Sequence, residues 1–491
     1  MSSIIKNNKI QIFNPINKQS IGEIDTCDEI NFSIVENNAK EYDKWKSLSL
    51  KKRCFYINKY RKAILKNRDQ IKEIIINETG KKEFDAFTEL FTTLEHLKEI
   101  TKIAKKQLKR SVRSTGLLKN KRAYVQYEPL GVAGIISPWN YPLVIPTTTL
   151  SEALIAGNNV ILKPSEHTSL IIQFLKKIWD LEIGYEKAFQ VIYGAGNVGE
   201  MLVNSTKNDI ICFTGSTKIG KIIAQKCASN LKPVILELGG KDPMIILKDA
   251  NQRRALESAL FGGLSNAGQA CISVEKIYIE HEIFDEFTKK ISDRIKNMTA
   301  GNSSDSSIGC IITPENYDKI NSQISEIRNN TKIITGNNTN QECFISPTLV
   351  ITPPLDSKIL NEETFGPVIT IQPFNNDTEL VEDINKTGYG LSGSIFGKNK
   401  DRIKYIVQNI KSGSMSINDV FSHYGIASLP FGGEGLSGIG RIHGKEGLHS
   451  FCRTKSIVES KFRFIDDPWW FNRTKKIEKL LKTAISVLYR K

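Results

Sequence analysis

No stretch of the sequence approaches eighteen consecutive apolar residues, so none has the length of a membrane-spanning helix. The opening Met-Ser-Ser-Ile-Ile-Lys-Asn-Asn lacks an apolar core of signal-peptide length, which predicts a cytoplasmic protein. Closely paired cysteines are missing too. The eight cysteines stand at 27, 54, 212, 227, 271, 310, 343 and 452 without a Cys-x-x-Cys or a Cys/His cluster, so neither zinc nor a disulfide frame is expected. The six histidines (96, 167, 281, 423, 443 and 449) have no partnered spacing, and the residue order suggests no Ser/His or Cys/His hydrolytic triad. No internal repeat stands out.

What remains is an ordinary globular composition, 40% hydrophobic and 25% charged, over 491 residues, enough for two or three domains. The net charge of +15 is unevenly spread. Lys98 to Arg122 holds ten Lys/Arg against Glu99 alone, and the segment from Arg453 onward holds eleven against four acids. Such patches attract nucleic acid or anionic lipid. They also suit a solvated helix face, and nucleic acid is not expected as a partner.

Short strands are expected at Ile10–Pro15 and Ser20–Ile24, then helices near 28–47, 50–79 and 82–108. Gly80 is a natural stop for the second helix. The third carries Phe84, Phe87, Leu90, Phe91 and Leu94 on one side. Residues 119–136 read as a β-hairpin or extended pair. Beyond them, Val160–Lys163, Phe189–Tyr193, Ile210–Phe213 and Val234–Glu237 are apolar runs separated by helix-sized intervals, the pattern of a parallel dinucleotide-binding sheet. A second alternating block follows Gly239-Gly240, through Met244–Leu247, Lys276–Ile279, Val368–Ile371 and Gly393–Phe396. The Asn/Ser-rich 301–307 and 329–341 are expected as surface loops.

One cysteine ends a segment free of charge, Phe261-Gly-Gly-Leu-Ser-Asn-Ala-Gly-Gln-Ala-Cys271. Small residues there let backbone pack closely, which suits a thiol at the floor of a tunnel. A thiol of ordinary pKa is only about 3% ionised at pH 7, so Cys271 needs help to react. Glu237, at the end of an apolar strand before two glycines, is a plausible general base with a raised pKa. Asn140, stiffened by Pro138 and Pro142, is a rigid amide donor of the kind an oxyanion site needs. Lys163 and Glu166, three apart at a strand end, suit the vicinal hydroxyls of a ribose. A carboxylate there would repel a 2′-phosphate, which argues for NAD over NADP. Gly194-Ala-Gly-Asn-Val-Gly199 fits a Gly-x-Gly-x-x-Gly search but is read as a structural strand-to-helix turn.

Seven motifs in one register then carry a family likeness. They are Pro138-Trp-Asn-Tyr-Pro142, Lys163-Pro-Ser-Glu166, Phe213-Thr-Gly-Ser216 with Gly220, Glu237-Leu-Gly-Gly-Lys241, Gly268-Gln-Ala-Cys271, Glu362-Glu-Thr-Phe-Gly-Pro-Val368, and Pro430-Phe-Gly-Gly433 with Ser437-Gly-Ile-Gly-Arg441. Over residues 10 to 456 the chain resembles the NAD(P)-dependent aldehyde dehydrogenase superfamily. The resemblance implies an α/β fold: a Rossmann-type parallel-sheet NAD-binding domain (1–118 and 137–237), an α/β catalytic domain (238–440), and a β oligomerisation arm (119–136 and 441–466) that pairs with another subunit in a dimer or tetramer. It implies Cys271 as nucleophile, Asn140 with the Cys271 N–H as oxyanion donors, and Glu237 as the base that directs a thioester to water. Cofactor contact falls to Trp139, Lys163, Ser165, Glu166, Gly215, Ser216, Gly239, Glu363 and Phe365, with the phosphates at the Phe213–Gly220 turn. The cofactor implied is NAD, with NADP as the alternative; the substrate is a small aldehyde and no metal takes part. His423 and Tyr424 fall in a loop that in the family lines the substrate funnel. Lys241 is a weaker candidate for electrostatic support of Glu237, while Met244 and Phe431 read as core.

The C-terminal extension, 467–491, departs from the family. After Phe462-Arg-Phe-Ile-Asp-Asp-Pro-Trp-Trp-Phe471, residues Ile477, Leu480, Leu481, Ala484, Ile485 and Leu488 share one helical face, with lysines largely elsewhere. A basic amphipathic helix beside tryptophans suits a membrane interface; the alternative is a helix packed on protein. Two further functional classes follow: a membrane-surface enzyme for long-chain or isoprenoid aldehydes, and a non-catalytic basic scaffold or nucleic-acid binder keeping the fold.

Overall fold

Runs of branched apolar residues bounded by glycine, asparagine and proline form two mostly parallel sheets, as β-propensity and turn chemistry dictate. The computed structural model describes residues 2–339, 342–462, 464 and 466–490. Met1, Asn340, Gln341, Arg463, Ile465 and Lys491, which fall in the expected first domain, loop, arm and extension, lie outside the described residues.

The six-stranded sheet runs, in spatial order, Gly438–Ile439, Val234–Glu237, Ile210–Thr214, Val132–Ile136, Asn159–Lys163, Phe189–Val191. All neighbours are parallel except the first pair. The seven-stranded sheet runs Lys332–Thr335, Thr348–Ile351, Val368–Phe374, Val274–Glu280, Asp242–Ile246, Ser392–Phe396, Ser414–Ile417, parallel but for its first pair. Asn159–Lys163, Asp242–Ile246, Val274–Glu280 and Ser392–Phe396 are buried at every position. Strands covered on both faces need crossover connections, and the helices supply them. One helix, Val144–Ala156, is buried throughout, and the hydroxyls of Thr148, Thr149 and Ser151 turn back on its own carbonyls, as with Ser151 Oγ to Thr148 O at 2.7 Å.

Both sheets lie in one compact unit, residues 1–108 and 128–453. A second unit comprises 109–127 and 454–491. Its sheet orders Cys452–Ser460, Lys121–Pro129, Ser111–Arg113. Its helix Lys475–Leu488, capped by Thr474, has no buried side chain.

Several expectations are corrected. The hairpin expected over 119–136 is split: Lys121–Pro129 is half-exposed and joins the small sheet, whereas Val132–Ile136, almost wholly buried, is a central strand of the six-stranded sheet. The helix expected over 50–79 is two, Leu50–Lys66 and Arg68–Thr79, because Asn67 leaves helical geometry (φ −100°, ψ 16°) with its side-chain amide donating to Ala63 O. The one expected over 28–47 breaks likewise at Tyr42, between Glu29–Glu41 and Asp43–Lys46. On Glu83–Gln107 the aromatic side faces out: Phe84, Phe87 and Phe91 are exposed, and Ala86, Leu90, Leu97, Ile100 and Ala104 form the buried stripe. Small residues let that stripe approach its neighbours closely. The segment 329–341 holds the edge strand Lys332–Thr335, where Ile333 and Ile334 pack on the core. Gly80 does end its helix, at φ 63°.

Candidate active site

The loop that delivers Cys271 is bent by three successive left-handed residues, Asn266 (φ 51°), Ala267 (φ 54°) and Gly268 (φ 72°). Such geometry is costly for non-glycine residues and persists only when neighbours over-determine it. Here they do. The Asn266 amide donates to the carbonyls of Asn140 (3.1 Å) and Gln269 (3.1 Å). Gln269 donates to Asn266 O and Cys310 O, each at 3.0 Å, and accepts from Ile312 N–H at 2.9 Å.

Asn140 is buried, and one amide N–H donates to Gln269 O at 3.0 Å, leaving the second free to serve an incoming atom. Its carbonyl accepts from the ammonium of Lys81 at 2.9 Å. Lys81 in turn pairs with Glu89 at 2.8 Å, both fully buried, and lies over the Tyr141 ring. Glu89 also accepts from the N–H groups of Leu143 (2.8 Å) and Val144 (3.1 Å) at the start of the buried helix. The Asn140 loop is thus fixed from both sides.

Glu237 closes its strand, and Gly438 pairs with it on the edge. Both carboxyl oxygens are buried without a hydrogen-bond partner among the described residues. Burial drives the carboxyl well above its ordinary pKa; Arg441 opposes this and Glu152 adds to it. The Cys271 thiol is also raised, by burial first and then by Asp242, Glu363 and Glu237. Lys241 does not support Glu237: it pairs with Glu275 at 2.6 Å and with Thr364 Oγ1 at 3.2 Å.

Cys271, Glu237 and Asn140 line one cavity of about 200 Å³ together with Trp139, Gly215, Ser216, Gly239, Glu363 and Phe365. An adjoining cleft of about 500 Å³ shares Trp139, Gly215 and Ser216 and adds Lys163, Ser165 and Glu166. Every residue singled out for catalysis or cofactor contact therefore lines one of two connected spaces. The glycines keep them open. A Cβ on Gly239 would meet the Glu363 carboxylate at 2.6 Å, and one on Gly215 the Phe213 ring at 2.5 Å. Glu363 accepts from Gly240 N–H at 3.1 Å and is pushed up to about 7 by burial and Glu275. Glu275 also grips the N–H groups of Thr364 and Phe365, where Phe365 stands at φ 58°. Across the cavity the rings of Trp139 and Phe365 meet edge-on, 5.6 Å apart at 90°.

In the cleft, Lys163 Nζ lies 3.3 Å from Glu166 Oε2. Burial works against the Glu166 charge, but Lys163, together with the Glu166 backbone N–H and His167, holds the carboxyl below its ordinary range. Ser216 caps the helix Thr217–Ser229, accepting from Ile219 N–H at 3.4 Å; its hydroxyl proton and the remaining first-turn N–H groups are left for an anion. Gly194 turns the chain at φ 154° into the helix Gly196–Asn204, and Gly196 and Gly199 edge the same cleft. Met244 and Phe431 are core. His423 is buried against Ser416 Oγ, 3.1 Å from Nδ1, and Tyr424 stacks edge-on with Phe431.

A family model described as the aldehyde dehydrogenase family matches residues 4–457. The chain belongs to the aldehyde dehydrogenase family. It is 31% identical over 433 residues to a 4,4'-diapolycopene aldehyde oxidase of Methylomonas sp, covering 87% of this chain and 81% of that one. It is 30% identical over 474 residues to a Mycobacterium tuberculosis protein named as an NADP(+)-linked succinate-semialdehyde dehydrogenase, covering 95% and 91%. Among solved structures, betaine aldehyde dehydrogenase of Staphylococcus aureus in complex with NAD+ superposes with a TM-score of 0.88 at 28% identity, covering 95% of this chain and 94% of that one.

On this aldehyde dehydrogenase frame, the supporting residues Lys81, Glu89 and Glu275 lie outside the seven motifs, while Gln269 and Arg441, whose charge acts on Glu237, lie inside them without an expected role. Lys81, eight residues before Glu89, carried the one local signal, a Lys and a Glu on either side of a helix start.

Proposed function

We propose that the protein oxidises an aldehyde to its carboxylic acid with NAD as hydride acceptor and water as final acyl acceptor. What carries this reading is that Cys271, Glu237 and Asn140 line one cavity continuous with a cleft whose glycines, helix N-terminus and Lys163–Glu166 pair fit a dinucleotide. Glu363 would hold the nicotinamide ribose, Phe365 and Trp139 would flank the ring, and Gly215 and Ser216 would receive the pyrophosphate. NAD, when bound, supplies a hydride acceptor.

Cys271, as thiolate, adds through its sulfur to the carbonyl carbon, and the oxygen's new charge falls to the free Asn140 N–H and the Cys271 N–H. Loss of hydride from that carbon leaves a thioester on Cys271. Glu237 takes a proton from water, hydroxide adds to the thioester, and the C–S bond breaks to release carboxylic acid and thiolate. Glu237 suits this role because, among the described residues, no donor occupies its oxygens. The Glu166 charge disfavours a 2′-phosphate, so NAD is preferred over NADP. The test is an NADH readout with aldehydes of graded length and charge, native against Cys271→Ala. The variant should lose roughly 10⁴-fold or more of the rate while still binding NAD in calorimetry; retained turnover would remove Cys271 from its role.

A second reading, a membrane-surface enzyme for long-chain or isoprenoid aldehydes, is favoured by the C-terminal unit. Trp469, Trp470, Phe471, Leu480, Ile485 and Val487 are exposed there among lysines, and one relative is named for a carotenoid aldehyde. Among the described residues no helix is long and apolar enough to cross a membrane, so contact would be peripheral. Flotation with anionic liposomes should carry the full chain up and leave a chain ending at Arg473 behind; equal behaviour would defeat it. The strands Lys121–Pro129 and Cys452–Ser460 we assign, by the family's pattern, to pairing with a second subunit.

A further inference from the structure

Three residues that the oxidation does not use meet in the interior. His96 comes from the helix Glu83–Gln107, Glu152 from the buried helix Val144–Ala156, and His443 from the turn before the helix Gly444–Ser450. His96 Nε2 lies 3.2 Å from Glu152 Oε1, the two imidazoles are 4.5 Å apart, and one donor atom from each residue falls within 4.8 Å of the others. All three side chains are 2% exposed or less. Yet among the described residues neither ring nitrogen of His443 finds a hydrogen-bond partner, and His96 Nε2, though close to Glu152, makes no hydrogen bond of proper geometry, a state that buried imidazoles rarely tolerate. Among the described residues, no Lys or Arg lies within ion-pair distance of Glu152.

The backbone adds an independent sign. His443 stands at φ 63°, ψ 164°, a region occupied almost only by glycine. It is held there by its own N–H, which donates to both Glu152 oxygens at 3.0 and 3.1 Å, and by its carbonyl, which accepts from Gly447 N–H at 2.7 Å. The strain aims an unpartnered imidazole at the carboxylate. A glycine at 443 would relieve it.

We propose that His96, Glu152 and His443 bind one divalent transition-metal ion of zinc's class. Two neutral imidazole nitrogens and a carboxylate oxygen make a standard zinc donor set, with a water as fourth ligand. The His96–Glu152 separation suits two ligands about 2.0–2.2 Å from a common tetrahedral centre. The Glu152 oxygens, already oriented by the His443 N–H, have the supported geometry that metal ligands need. The ion would join two helices to the segment carrying Arg441, whose charge acts on Glu237. It takes no part in hydride or acyl transfer.

The test uses the full chain carrying Cys271→Ala, so that the thiol does not compete. After chelation and dialysis, Zn2+ or Co2+ is added and bound metal is counted by mass spectrometry, with the Co2+ visible spectrum and the melting midpoint alongside. One equivalent should bind, with tetrahedral Co2+ bands and a raised midpoint. His443→Gly, whose backbone fits the turn, and Glu152→Gln should each bind at least tenfold more weakly while melting cooperatively. His96→Gln is the third variant should either fail to fold. No stoichiometric uptake by the parent, or equal uptake by variants that fold, would overturn the site.

Discussion

Gly268 and Gly366 meet backbone to backbone: a side-chain carbon on Gly268 would stand 2.0 Å from the Gly366 carbonyl oxygen. With φ at 72° as well, both space and torsion require glycine. Gly268→Ala should cost about 2–4 kcal/mol. It should also displace the Cys271 loop. Thermal or denaturant melting checks the first effect and turnover the second; an unchanged midpoint would contradict the packing.

Glu237→Gln should separate the two halves of the reaction. Mixing with aldehyde and NAD should give a burst of one NADH per site, then slow release, with the acyl group recovered on Cys271 by mass spectrometry. Water activation needs the ionised carboxyl, and burial raises its pKa. Deacylation in the native enzyme should therefore speed up as pH rises through a range well above that of an ordinary carboxylate. The glutamine variant should lose this limb.

Glu166→Gln should relax the choice of cofactor. Removing the charge that Lys163 stabilises frees that ammonium for a phosphate. The ratio of kcat/KM for NAD over NADP should fall at least about tenfold. An unchanged ratio would place cofactor choice elsewhere.

Lys81→Met strands the buried Glu89 carboxylate and takes a donor from the Asn140 carbonyl. The loss should be about 3–5 kcal/mol, with a fall in kcat beyond the fall in stability. Adding Glu89→Gln should restore part of the stability, since its carbonyl still accepts from Leu143 and Val144.

Residues whose chemistry depends on a local turn were legible in the sequence. Glu237 before Gly239-Gly240, Asn140 between prolines and Cys271 after Gly268 each carry their geometry in adjacent residues. The strands expected at 160–163, 210–213, 234–237, 244–247, 276–279, 368–371 and 393–396 were legible for the same reason, being short apolar runs between breakers, whereas Lys332–Thr335 was hidden in a polar segment. Partners drawn from distant segments left no such trace. Nothing near His443 points to Glu152, 291 residues earlier, and nothing beside Lys241 marks Glu275 as its counter-ion. The aromatic stripe of Glu83–Gln107 left open which way it faces, because apolar spacing defines a face without saying which neighbour covers it. Asn67 broke a helix through a side-chain bond that periodicity does not register.

The side-chain amides of Asn140, Asn266 and Gln269 donate to one another's backbone carbonyls, and Lys81 joins at the backbone carbonyl of Asn140. These bonds close within the chain itself, so the seat of the sulfur is finished as the protein folds. An arriving aldehyde finds it preset, and substrate preference can drift through changes on the outer walls without shifting the atom that reacts.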